Sequence, residues 1–306
     1  MEQKPLVSIV IPVYNGDNYV REAIDSALAQ TYQNVEIVVV NDGSTDGGLT
    51  RAACLEYGDR IQYFEKENGG CASALNYGVR MAKGEFISWL SHDDLYYPEK
   101  VAHQINCYLE KGLDMKKTAI SNRGALIDGA GNPIYHPNYG GVGMLCPREA
   151  FRYLLFTRCF NGCGLLLPKA VFELGYEFPE HMRFVLDFNL WLKLAAAGVS
   201  FYVDDKILVA NRQHSGQVTV KQRELHKKES AETRRELFAL LKEHEDSGFL
   251  LDLYYSCCCA DKTLAKEIKD TLKKKGVKSS ILKKAKIKAK HKVKKCLKKV
   301  YHKLRK

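Results

Sequence analysis

Carboxylates recur in this sequence directly after short apolar runs. Asp42 and Asp46 follow Val35-Glu36-Ile37-Val38-Val39-Val40, and Asp93 and Asp94 follow Phe86-Ile87-Ser88-Trp89-Leu90. Pro12, Tyr14 and Asn15 hold the same place after Leu6-Val7-Ser8-Ile9-Val10-Ile11. If each run is a strand of an open parallel sheet, these residues meet on one rim, where such sheets bind ligands. Acids gathered on one rim repel one another unless a cation neutralises them. A hard divalent ion, Mg²⁺ or Mn²⁺, holding a phosphate-bearing ligand would do so through oxygen ligands. Taken singly, Asp42-Gly43-Ser44 is also an ordinary turn, and Asp93-Asp94 an ordinary cap for a helix beginning near Pro98. Three strand ends in agreement carry more weight than one.

The elements that must position these residues alternate along the first hundred residues. Val20 to Gln30 has helical spacing at Val20, Ile24, Ala27 and Leu28, and Arg51 to Tyr57 and Ala72 to Ala82 read as further helices. Leu6–Ile11 (stopped by Pro12), Val35–Val40, Ile61–Phe64 and Gly84–Leu90 read as strands. Asn68-Gly69-Gly70 marks the cap of the third helix. Strand and helix in alternation predict an α/β fold with a doubly wound, mainly parallel sheet. Further on, Phe188 to Ala197 reads as a helix, Ser200 to Ala210 as a strand, and Gln222 to Leu253 as helix-forming. Neither Gly-x-x-x-x-Gly-Lys-Ser/Thr nor Gly-x-Gly-x-x-Gly occurs at a strand–helix turn, which counts against P-loop ATPases and dinucleotide oxidoreductases.

Val7-Ser8-Ile9-Val10-Ile11-Pro12-Val13-Tyr14-Asn15 with Val40-Asn41-Asp42-Gly43-Ser44-Thr45-Asp46 resembles the family 2 glycosyltransferases of the GT-A fold. Asn68-Gly69-Gly70 with Ala74 and Asn76, and the segment Gly84 to Lys100, match that family in the same order. The resemblance is close over residues 6–102 and returns in patches over 160–219. It implies a nucleotide-binding half over 1–110, an acceptor-binding half over 111–219, a helical extension over 220–261 and a separate tail over 262–306. It implies nucleotide contacts from Pro12, Tyr14, Asn15, Asp42, Ser44, Asn68, Asn76 and Asp94, with Asp42 on the base. Asp93 takes the metal place of the family's Asp-x-Asp element, and His214 resembles the late element that reaches the same metal. Asp187, in Leu186-Asp187-Phe188-Asn189-Leu190-Trp191, falls at the family's catalytic base.

The expected activity is therefore inverting, metal-assisted transfer from a nucleotide-sugar, UDP-linked, to a glycan or lipid-linked acceptor. The sequence departs from the family pattern at Ser91, Leu186, Asn189 and Leu75. Ser91 and Leu186 keep open a catalytically inactive relative acting as a binding or scaffolding subunit. A nucleotidyltransferase on a related sheet is the other alternative.

The formal charge of +11 is unevenly placed: residues 262–306 carry +18, and residues 1–261 carry −7. Along the tail, Leu282, Ala285, Ala289, Val293, Cys296, Leu297, Val300 and Leu304 recur every three or four residues. On a helix they form a narrow apolar stripe in a lysine coat, the pattern of a segment lying on an anionic membrane surface. With one Arg and one Tyr in that tail, base reading in nucleic acid is not expected. No stretch approaches the ~20 apolar residues of a membrane span, and the first residues lack a leader's layout. Most of the ten cysteines read as small buried hydrophobes, and Cys159 and Cys163 lack a second pair at zinc spacing. A cytoplasmic location, peripheral on the inner membrane face, is the expectation.

Overall fold

The computed structural model describes residues 4–136, 143–157, 160–214 and 223–282. Its elements run β1 (Val7–Val13), α1 (Val20–Leu28), β2 (Val35–Asn41), α2 (Leu49–Leu55), β3 (Gln62–Glu65), α3 (Cys71–Met81), β4 (Phe86–Trp89), β5 (Leu95–Tyr96) and α4 (Lys100–Lys111). There follow β6 (Thr118–Ile127), β7 (Pro133–Tyr135), β8 (Gly143–Leu145), α5 (Pro147–Phe156), β9 (Leu165–Pro168), α6 (Leu186–Ala196) and β10 (Ser200–Arg212). Three helices come last: α7 (Arg223–Leu241), α8 (Ser247–Ala260) and α9 (Lys262–Lys274). The chain divides into two compact units. One comprises residues up to Ala150 and Phe160–Arg223, the other Phe151–Cys159 and the residues from Glu224.

In the first unit the strands form one mixed sheet in the order β3-β2-β1-β4-β9-β6-β10-β5, with β7 on β6 and β8 on β10. The first four are mutually parallel. β9 lies antiparallel between β4 and β6, and β6 pairs parallel with β10. Every residue of β1 is buried, as a strand covered on both faces requires. Helix α1 lays Val20, Ala23, Ile24 and Ala27 on the sheet. α3 approaches so closely that a Cβ on Gly78 would sit 2.4 Å from Val10 Cγ1, so only glycine fits there. Because β1 lies between β2 and β4, the loops leaving β1 and β4 open side by side at the point where the winding reverses. That is the crevice where open α/β sheets bind ligands.

Two boundaries differ from the sequence pattern. β1 does not stop at Pro12 but runs to Val13. Its pairing with β4 ends at Val10, so beyond it β1 has no neighbour on that side and a proline costs no ladder bond. The helix-forming run from Gln222 to Leu253 is broken in two, because Asp246 turns out of helix and caps α8 by accepting from Gly248 N at 2.7 Å.

In the second unit α8 buries Phe249, Leu250, Leu253, Tyr254 and Cys257, and α9 buries Leu264, Ala265, Ile268 and Leu272. Asp261 caps α9 through Leu264 N at 2.9 Å and meets Arg235 at 3.5 Å. The beginning of the basic stretch is thus an ordinary packed helix. The stripe after Leu282 falls outside the described residues. Among the described residues, no helix is long and apolar enough to cross a membrane.

Candidate active site

The loops after β1 and β2 are bound into one surface. Asn15, held at φ 49°, accepts from Thr45 N on Oδ1 at 2.7 Å, and its own N–H donates to Ser44 Oγ at 2.9 Å. Asn tolerates this left-handed conformation better than most residues. Ser44 in turn donates to Asn41 Oδ1 at 2.7 Å. Tyr14 stands 44% exposed above this surface, its hydroxyl 3.3 Å from Thr45 Oγ1. Asp46, by contrast, is used to start α2, where it accepts from Thr50 N at 2.9 Å.

Asp42 lies at the floor of the site, 2% exposed. Its carboxylate accepts from Lys66 Nζ at 2.8 Å, Gly69 N at 3.0 Å and Gly70 N at 2.7 Å. Asn68 adds a bond to the Asp42 carbonyl at 2.8 Å. The turn depends on Gly43, at φ +66°, where a Cβ would stand 2.7 Å from Asn68 N. The Asn68-Gly69-Gly70 segment therefore wraps Asp42 with its own main chain, and no side chain caps α3.

Adjacent acids after β4 take opposite roles. Asp94 is turned inward, 6% exposed, accepting from Asn211 Nδ2 at 2.7 Å, Arg212 N at 2.9 Å and Cys163 Sγ at 3.2 Å. Burial, with the Asp93 charge beside it, pushes its carboxyl up to about 7. Asp93 faces the rim, where its Oδ2 lies 3.1 Å from His214 Nε2. Neither caps α4, whose N-cap is Glu99 without a side-chain bond. Ser91, in the place where the family pattern has an acid, sets its hydroxyl 3.3 Å from Cys163 Sγ.

The sequence pattern singles out His214 but not Arg212, which organises this corner. Arg212, buried to 1%, donates to the Asp93 carbonyl at 2.9 Å, the Gly129 carbonyl at 3.0 Å and Glu22 Oε2 at 2.7 Å. It also lies over the Tyr19 ring, which packs against His214 at 5.1 Å. An arginine ending a strand of otherwise buried character was the available signal. Asn76 is likewise engaged away from the rim: it bonds both the N–H and the carbonyl of Phe178 at 2.9 Å, and Glu180 at 3.1 Å.

Asp187 sits in the first turn of α6, its Oδ1 accepting from Phe188 N at 2.6 Å. The residue that links it to the other acids is Cys71, the first of α3. Cys71 is open to solvent yet densely surrounded, as a residue inside a cleft is. That crowding, with the charges of Asp42, Asp187 and Asp93 around it, pushes its thiol up to about 12. Three carboxylates from three separate elements therefore face one cleft at the start of α3. Within it, the Asp93 carboxylate and the His214 imidazole are spaced to share one cation. Two protein ligands suit a hard ion that takes the rest of its shell from water and phosphate oxygens.

Residues 8–124 match the sequence profile of the family described as Glycosyl transferase family 2. A protein of Rickettsia bellii described as an uncharacterized glycosyltransferase is 51% identical over 213 residues, covering 70% of this chain and 30% of the relative. The matched stretch is thus about a third of that relative's length. Among solved structures, Staphylococcus aureus TarS 1-349 in complex with UDP-GlcNAc has a TM-score of 0.60 at 16% identity, covering 87% of this chain and 83% of its own. A Pyrobaculum calidifontis mannosyltransferase in complex with GDP-Man and Mn²⁺ has a TM-score of 0.57 at 18% identity, covering 95% and 87%. At those identities the structural likeness establishes the fold, while the sequence match carries the kinship. The motif order on the strand ends, the winding of the sheet and both kinds of likeness agree, and the chain belongs to glycosyltransferase family 2 with a GT-A fold.

Proposed function

We propose that this chain transfers a sugar from a nucleotide-sugar, UDP-linked, to a hydroxyl of a glycan or lipid-linked acceptor, with inversion at the anomeric carbon. The observation that carries this reading is the convergence of Asp42, Asp93 and Asp187 on the cleft around Cys71. Pro12, Tyr14, Asn15, Ser44 and Asn68 border the nucleotide on the β1–β2 surface. Asp42 faces the base, its charge held in place by Lys66. Asn76 and Asp94 serve this site from behind, bracing α3 and the strand end at Asn211–Arg212. Asp187 takes the proton as the acceptor oxygen bonds to the anomeric carbon, and the bond from that carbon to the diphosphate breaks on the opposite side. One in-line displacement of this kind inverts the centre.

Asp93 and His214 are the residues to hold a divalent cation, Mn²⁺ or Mg²⁺, which when bound neutralises the departing diphosphate. Their side chains are 16% and 18% exposed, a partly open pair rather than a sealed cage. The structural neighbours that bind UDP-GlcNAc, and GDP-Man with Mn²⁺, support this assignment.

A panel of nucleotide-sugars assayed for nucleoside diphosphate release tests the reading. Asp187→Asn should lower turnover by about 10²–10⁴-fold, the span of general acid–base catalysis, with the fold intact by circular dichroism. Wild-type turnover by that variant removes Asp187 as base. Pyrophosphate as the product favours a nucleotidyltransferase. Tight donor binding without any turnover favours the inactive binding subunit that Ser91 leaves open.

For the basic stretch from Lys262 we propose attachment to an anionic membrane surface, which would place the enzyme beside lipid-linked acceptors. Flotation with phosphatidylserine vesicles should recover the full chain and lose it in high salt. Equal recovery with neutral vesicles sinks the idea.

A further inference from the structure

Away from the rim, three side chains of different chemistry meet between α4 and β10. His103 and Cys107 are four residues apart on α4 and so share a face of that helix. Across from them β10 alternates Tyr202 and Asp204 on its α4 side, where Lys111 also lies over the Tyr202 ring at 5.3 Å. His103 Nε2 is 3.1 Å from Asp204 Oδ2, Cys107 Sγ is 3.6 Å from His103 Nε2, and Cys107 Sγ is 3.8 Å from Asp204 Oδ2. The second oxygen of Asp204 accepts from Lys206 N at 2.7 Å, which fixes the carboxylate with Oδ2 turned to the cluster. Cys107 is buried, while His103 keeps about a quarter of its side chain in solvent.

We propose that His103, Cys107 and Asp204 form a zinc site that ties α4 to β10. The three interatomic distances are the first reason. Around a tetrahedral Zn²⁺ with ligand bonds of roughly 2.0–2.3 Å, neighbouring ligand atoms stand about 3.4–3.6 Å apart. The measured edges of 3.1, 3.6 and 3.8 Å bracket that value, so an ion fits with shifts of a few tenths of an ångström. The ligand types are the second reason. Thiolate and imidazole beside one carboxylate select Zn²⁺ over Mg²⁺, Mn²⁺ and Ca²⁺, which want oxygen. Charge is the third. On binding, the Cys107 proton leaves to solvent, and one thiolate and one carboxylate cancel the ion's two charges, so a half-buried site carries no net charge. A water entering beside His103 completes the fourth position. The site is independent of the glycosyl-transfer assignment, since none of its residues belongs to the rim.

Cobalt substitution reads this directly. The full chain, treated with chelator and reloaded with one equivalent of Co²⁺, should show thiolate-to-cobalt charge transfer in the near ultraviolet with intense tetrahedral d–d bands. Asp93→Ala should keep both, because it alters only the rim pair. Cys107→Ser should abolish the charge transfer, and His103→Gln should weaken Zn²⁺ binding at least about tenfold, as loss of one of three ligands must. No charge transfer in the wild-type chain overturns the site, as does an unchanged band in Cys107→Ser. If Cys107→Ser does not fold, the partly exposed His103→Gln decides: wild-type Zn²⁺ affinity in that variant overturns the proposal.

Discussion

His214 Nε2 lies 3.1 Å from Asp93 Oδ2 on the rim, and His103 Nε2 lies 3.1 Å from Asp204 Oδ2 between α4 and β10. The pairs differ in what surrounds them. At the second pair Cys107 adds a soft third ligand from the same face of α4, and the set closes into three corners of a tetrahedron. At the rim pair the atoms nearby are those of an open cleft, with Cys71, Asp42 and Asp187 facing it. A hard ion there has room to take oxygens from a diphosphate, as metals in nucleotide sites do. The same two residue types at the same distance thus support an exchangeable catalytic ion in one setting and a structural ion in the other. The number and softness of the remaining ligands make the difference.

The largest test of this contrast is Asp93→Ala. It should cut nucleoside diphosphate release at saturating donor by about 10²-fold or more, the several kcal/mol that a bound cation supplies to a leaving group. The Co²⁺–thiolate band at Cys107 should survive. Loss of the band together with activity would mean that the two regions form one coupled metal system. The mirror experiment is His103→Gln. Turnover should stay within about twofold, as for residues without shared partners. The Zn²⁺-dependent rise in melting temperature, worth about 2.7 kcal/mol at a hundredfold excess over Kd, should disappear. A large fall in turnover with melting unchanged would reverse the two roles.

The smallest expected effect falls on the residue between the two regions. Lys100 opens α4 and reaches back to Ser88 of β4 at 2.7 Å and to Gln104 at 3.0 Å. Burial lowers its pKa from 10.5 to about 7. Between those values the unfolded chain holds a proton that the folded chain does not, so this residue makes stability rise with pH. Relative to the wild type, Lys100→Met should therefore be most favoured near pH 7 and lose that advantage towards pH 9. The change is at most about 1.4 kcal/mol per pH unit. Urea unfolding at three pH values measures it, and parallel pH profiles would show that Lys100 stays charged in the fold.

Of the candidate site, the strand ends were legible because each lies directly after an apolar run that a two-sided sheet must bury. Asp42, Asp93 and Tyr14 are placed by that pattern alone. The reach of β1 through Pro12 was not, since it depends on where the neighbouring strand β4 stops. The opposite fates of Asp93 and Asp94 were also hidden. A one-residue step decides which acid turns inward to Cys163, Asn211 and Arg212, residues 69 to 118 positions away.

The sequence by itself determined the alternation of strands and helices, the motif order that marks the family, and the separation of a −7 body from a +18 tail. These are local in the chain: apolar period, turn residues and charge are read over a few neighbours. Only the tertiary structure decided which donors share a cation. His103 and Cys107 could be paired by helical spacing, but Asp204 lies 97 residues beyond Cys107. His214 joins Asp93 across 121 residues. Metal ligation depends on distances of a few ångströms between atoms brought together by packing, and no spacing along the chain encodes that.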